Sequence, residues 1–158
     1  MPQRFGDGGF DPEAFRAFLA RAEALGFESA WTQEQVLGEF PQLAPTETMT
    51  YAAACSDRIR LGCAVYVTPL HNPVQLAKSL STLDQLSGGR LEIGIGPGDK
   101  RRPFRAFDAD PATYIARFTE GVRLMKACWT EAEIDDLKSI PAGAFEVISV
   151  PPLEDETR

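Results

Sequence analysis

LDQLSGGRLEIGIGPG, residues 83–98, runs a helix end, a two-glycine stop, an alternating strand and a glycine-rich turn together without a spare residue. Upstream, Leu76, Leu80 and Leu83 fall at i, i+4 and i+7, the spacing of a buried helical stripe, and Gly88-Gly89 supplies the left-handed conformation that ends a helix. Leu91, Ile93 and Ile95 then alternate with Glu92, Gly94 and Gly96, the period of a strand. In an α/β protein ligands bind beyond the carboxyl ends of parallel strands, where a glycine turn lets the main chain approach them. The ligand side is therefore expected at Gly94 to Asp99.

Working outward, the same alternation of elements repeats. Asp11-Pro12-Glu13 reads as a helix start, and Phe15, Phe18, Leu19, Ala22 and Leu25 form a stripe that stops at Gly26. A strand is expected from Phe27 to Thr32, followed by the polar residues Gln33, Glu34 and Gln35. Thr46 is expected to cap a short helix through Ala54. A long strand follows from Arg58 to Val67, with Ile59, Leu61, Cys63, Val65 and Val67 on one side and Gly62, Ala64 and Tyr66 on the other. Asn72-Pro73 starts the helix that leads into the opening segment. Beyond the glycine turn, Lys100, Arg101, Arg102 and Arg105 form a basic cluster, and a helix is expected over Ala112 to Thr130. Helix and strand in alternation imply parallel strands joined by right-handed crossovers.

The chain has 158 residues, 44% hydrophobic and 25% charged, with a net charge of −7. Eight acidic and two basic residues lie within 131–158, a net of −6, which leaves 15 acidic against 14 basic in residues 1–130. The expected division is a domain over 1–130 and an acidic, poorly anchored tail over 131–158, in which only Phe145 to Val150 reads as a strand. Neither part has the basic surface of a nucleic-acid binder. No apolar run approaches a membrane span of ~20 residues, and the N-terminus lacks the apolar core of a signal peptide, so no membrane partner and a cytoplasmic location are expected. Cys55, Cys63 and Cys128 are odd in number and far apart, which argues for reduced thiols, and one histidine without a CxxC pair argues against a metal site.

Three segments carry a resemblance: AEALGFESAWTQEQ (Ala22 to Gln35), RIRLGCAVYVTPLHNPVQLAKSLSTLDQLSGGRLEIGIGPGD (Arg58 to Asp99) and ARFTEGVRLMKACWTE (Ala116 to Glu131). Together they resemble the N-terminal half of the luciferase-like flavin-dependent monooxygenases, a superfamily of (β/α)8 TIM barrels that includes bacterial luciferase and deazaflavin-dependent oxidoreductases. The resemblance implies an α/β fold, about the first half of such a barrel. It implies a flavin, FMN or alternatively the 8-hydroxy-5-deazaflavin coenzyme, that oxidises a small organic substrate with oxygen or by hydride transfer.

What it implies for residues is specific. A bulge with a non-prolyl cis peptide is expected at Ala64-Val65, behind the cofactor, and Gly96, Gly98 and Asp99 are expected to approach the cofactor from the glycine turn. The family often has an acidic residue followed by histidine after the second barrel strand; here stand Glu34 and Gln35, so Gln35 can hydrogen-bond but not shuttle protons, and Glu34 is the ionisable catalytic candidate. Where bacterial luciferase has a phosphate-binding arginine within the turn, this chain has Pro97, leaving the Lys100 to Arg105 cluster to supply charge. His71, the sole histidine, falls on the ligand side and is expected to pack or cap the next turn. Trp31, Tyr66 and Trp129 are expected in the core. Only half a barrel's worth of units reads from the sequence, which points to a truncated member. It would act as an enzyme, or alternatively as a non-catalytic half-barrel that dimerises or pairs with a complementary luciferase-like subunit.

Overall fold

Helix starts and stops follow the local chemistry of the sequence. The structure, a computed structural model, describes residues 1–4, 8–37, 42–98, 106–107, 110–130 and 146–149. Helix α1 (Pro12–Ala24) begins at Asp11, whose carboxylate accepts from the N–H groups of Glu13 and Ala14. Strand β1 (Ser29–Thr32) follows, then α2 (Pro45–Ala54), β2 (Arg60–Val67) and a 3₁₀ turn over Thr68–Leu70. Helix α3 (Pro73–Ser87) is capped by Asn72, which accepts from the Gln75 N–H, and ends at Gly88 with φ +71°. Strand β3 (Leu91–Gly96), helix α4 (Tyr114–Thr130) and strand β4 (Glu146–Ser149) complete the order.

The four strands form one sheet in the order β1-β2-β3-β4, every pairing parallel. Ala30 pairs with Leu61, Leu61 with Leu91, and Ile93 with Val147. These are consecutive strand and helix units joined in parallel, as part of the (β/α)8 barrel that the resemblance implies. Strand β4 lies beyond Thr130, within the stretch set apart by its acidity, and pairs with β3 along its whole length. Among the described residues no helix is long and apolar enough to cross a membrane, and the three cysteines are free thiols.

One face of the sheet carries the core. Ala30, Leu61, Cys63, Tyr66, Leu91, Ile93 and Ile95 are buried in a single cluster with Phe15, Leu19, Met49, Leu76, Leu80, Leu83 and Met125 from the helices. Helix α3 packs against α2 and α4, and Trp129 donates its indole N–H to the Ala77 carbonyl at 3.2 Å. At the amino end of the sheet Arg90 acts as a clamp, donating to Ser87 O, Ser56 Oγ, Ile59 O and Ala53 O at 2.6–3.0 Å.

Three details differ from expectation. The strict alternation read along β2 gives way at Ala64-Val65 to the bulge that the resemblance implies: the register shifts between Cys63 and Tyr66, so both pair with core isoleucines, Tyr66 lying in the core as expected, while Ala64 and Val65 together face the other side. A bulge of two residues against one does this, and it moves Tyr66 into the core and Val65 out of it. Helix α2 starts one residue before Thr46, at Pro45, with Ala44 as an N-cap that offers no side-chain bond. Thr46 instead hydrogen-bonds the Tyr66 hydroxyl at 2.8 Å. In the expected stripe of α1, Phe18 and Leu25 are exposed, while Phe15, Leu19 and Ala22 are buried in the core cluster.

Candidate functional site

The opposite face of the sheet is built from small residues and one indole. Trp31, half-buried, lies so close over Gly62 that a Cβ there would overlap its ring. A Cβ on Gly94 would stand 2.7 Å from the Cys63 carbonyl oxygen and 3.2 Å from Val65 Cγ1, and one on Gly96 would stand 2.9 Å from Val65 Cγ2. Glycine is thus required so that Val65 can lie flat across β3. The peptide joining Ala64 to Val65 is cis, at the position the resemblance implies. Ala64 is exposed on this face.

A cleft of about 710 Å³ opens here, lined by Trp31, Thr32, Gln33, Ala64, Gln3 and Gln42. The amino-terminal residues form one wall. The Met1 amino group donates to the Trp31 carbonyl, and Gln3 donates to Thr32 Oγ1 at 2.5 Å while accepting from the Leu43 N–H at 2.7 Å. Burial lowers the Met1 ammonium below its ordinary value. The Gln42 Oε1 atom is buried without a hydrogen-bond partner among the described residues, an acceptor in need of a donor.

The polar residues after β1 divide between two environments. Gln33 is exposed and lines the cleft; Gln35 is exposed and lines none of the clefts described. The Glu34 side chain is only 5% exposed: its Oε2 accepts from the Val67 N–H at 2.6 Å, and its Oε1 lies 2.8 Å from His71 Nε2. Glu34 therefore ties the end of β1 to the end of β2. His71 stands edge-on to Tyr66, ring centroids 6.0 Å apart. Burial, with the Glu34 charge adding to it, pushes the Cys63 thiol well up, and burial pushes the Tyr66 phenol up, so both stay protonated at neutral pH.

Of the residues that sequence reasoning singled out, the sheet brings Gln33 to Gln35, Ala64-Val65, Gly96 and Gly98 to the carboxyl ends of parallel strands. Gly98 has φ +73°, and a Cβ there would overlap Val67 Cγ1. Asp99 and the Lys100 to Arg105 cluster lie outside the described residues. Trp31, expected in the core, is a wall of the cleft, because its side chain alternates onto the glycine face. The pairing of Glu34 with His71 was not foreseen, although both close adjacent parallel strands, the one signal that could have placed them together.

The arrangement fits a planar, heteroaromatic cofactor. Its volume lies within the usual ~300–1,000 Å³ of small-molecule sites. An indole offers an apolar wall, Ala64 leaves the floor low, and the orphaned Gln42 oxygen suits a ring N–H.

Comparison with known proteins agrees. The family model for luciferase-like monooxygenases matches residues 2–145. An F420-dependent glucose-6-phosphate dehydrogenase from Kineococcus radiotolerans is 31% identical over 79% of this chain and 39% of its own length. The alkanal monooxygenase alpha chain of Photorhabdus laumondii is 29% identical over 68% of this chain and 28% of its own. The crystal structure of the monooxygenase RslO1 from Streptomyces bottropensis superposes with a TM-score of 0.71 at 31% identity, covering 76% of this chain and 37% of that one. The chain thus spans well under half the length of these three relatives.

Proposed function

The chain belongs to the luciferase-like monooxygenase family, and on that premise we propose that it is a flavin-dependent oxidoreductase that holds FMN, or alternatively the 8-hydroxy-5-deazaflavin coenzyme, against the glycine-bearing face of its sheet. The observation that carries the reading is the cleft walled by Trp31 and floored by Ala64.

Each residue has a role in this reading. Trp31 and Ala64 take the two sides of the ring system, and the amides of Gln33 and Gln42 bond its polar edge. Gly96 and Gly98, with Asp99, let the main chain approach the cofactor. Glu34 fixes the rim and is the ionisable catalytic candidate, whereas Gln35 bonds a substrate or oxygen species without transferring a proton. Bound there, a reduced flavin supplies the electrons to oxygen or the hydride to a small organic substrate, and the protein supplies orientation and exclusion of water. A second copy, or a complementary luciferase-like subunit, would cover the open face.

Equilibrium titration with oxidised and reduced FMN and with the deazaflavin coenzyme, followed by fluorescence, tests the reading. Saturable binding at micromolar concentration is expected, weakened about tenfold or more in Ala64→Leu, where the added side chain costs contacts and space. No binding of any of them at high micromolar concentration overturns it.

A further inference from the structure

The Glu34–His71 pair stands apart from the cleft that the cofactor is assigned to, and it is the one place where a titratable imidazole holds part of that cleft's rim. Glu34 is 5% exposed in its side chain and His71 29%. One carboxylate oxygen receives the Val67 N–H and the other faces His71 Nε2. An ionised carboxylate has no proton to give, so Nε2 must carry the hydrogen and donate it. The other ring nitrogen, Nδ1, has no hydrogen bond among the described residues. The ring lines two small clefts, of about 270 and about 170 Å³, so protons reach it from solvent.

We propose that His71 is a positioning residue whose protonation tightens the hold on Glu34, and through it on Gln33 to Gln35, so that the affinity of the neighbouring cleft for its cofactor follows the charge on this ring. The proposal rests on the reading of that cleft as a flavin site. The neutral ring gives Glu34 an ordinary hydrogen bond; the protonated ring gives this buried carboxylate a charge-assisted one, about twice as strong. Gln33 is joined to Glu34 through the backbone, and a rim already in place lowers the ordering cost of binding.

Other charges face the ring. Glu47 of α2 lines the larger cleft with it, Tyr66 of β2 stacks edge-on and stays neutral, and Arg117 and Glu120 of α4 line the smaller cleft. No charged side chain of α3 lines either cleft. Arg117 is also held at the Pro69 carbonyl, 3.2 Å away. Carboxylates outnumber cations among these residues. The sign follows: the hold is full below the ring's titration and is lost as pH rises through it.

A single histidine in the chain makes the test direct, because imidazole NMR then reads one ring. In the protein without cofactor the neutral ring is expected to carry its proton on Nε2. The amide signals of Val67 and Gln33 to Gln35 should move with the ring's titration, and Glu34→Gln should lower the pH of that titration and uncouple those amides from it. FMN affinity should fall roughly fivefold as pH rises through the titration, the worth of a charge-assisted over a neutral bond. His71→Arg, permanently charged, should hold it at the low-pH value throughout. A proton on Nδ1, amides indifferent to the ring, or a titration unchanged by Glu34→Gln overturns the proposal. Absence of FMN binding at every pH would overturn the flavin reading, while the spectra without cofactor still decide the role of His71.

Discussion

Glu23 shows how a single carboxylate sets local geometry. Its Oε1 accepts the N–H groups of Asp57, Arg58 and Ile59 at 3.0, 2.6 and 2.8 Å, fixing the approach to β2. The bond from Arg58, then that from Ile59, holds its carboxyl below the ordinary value of 4.5. A lowered folded-state value means stability that is present above about pH 4.5 and lost as pH falls through the lower value. Urea unfolding at a series of pH values should therefore show an acid limb that Glu23→Gln flattens. Gly62→Ala is a second residue-scale prediction: its Cβ would overlap the Trp31 ring, so a loss of about 1–3 kcal/mol and a shifted Trp31 emission are expected from denaturation followed by fluorescence. Single residues were unevenly legible. The cis position at Ala64-Val65 was marked by its place in a matching segment, while the Glu34–His71 contact joins residues 37 apart and depends on which strands lie side by side.

Elements announced themselves where local chemistry decides them. Asn72 and Gly88 bracket α3 in the sequence as they do in the structure, one accepting from Gln75 and the other in the left-handed region. Asn72→Ala should cost about 1 kcal/mol, read as a lowered urea midpoint with an unchanged slope. The course of β2 was less legible, because strict alternation predicts a face for Tyr66 that the two-residue bulge reverses. Likewise Thr46 looks like a cap in isolation but is recruited by the Tyr66 hydroxyl, a tertiary partner that no local rule supplies. Where the candidate site departs from a simple reading, it does so at this bulge.

Across the whole molecule, parallel strands in chain order carry every strand-end residue to one edge, and the helices leave the glycine-bearing face bare among the described residues. That much follows from the repeating pattern of helix and strand. The wall formed by Trp31 and by the amino-terminal residues does not, since it depends on how the chain start lies along β1. The central claim is that a flavin binds this face. The two tryptophans provide the direct measurement, because Trp31 lines the cleft whereas the Trp129 indole is bonded to Ala77 among the helices. On titration with FMN, the indole N–H signal of Trp31 should shift to saturation in NMR spectra while that of Trp129 stays in place. A saturable shift of Trp129 alone, or no shift of either, would contradict the account.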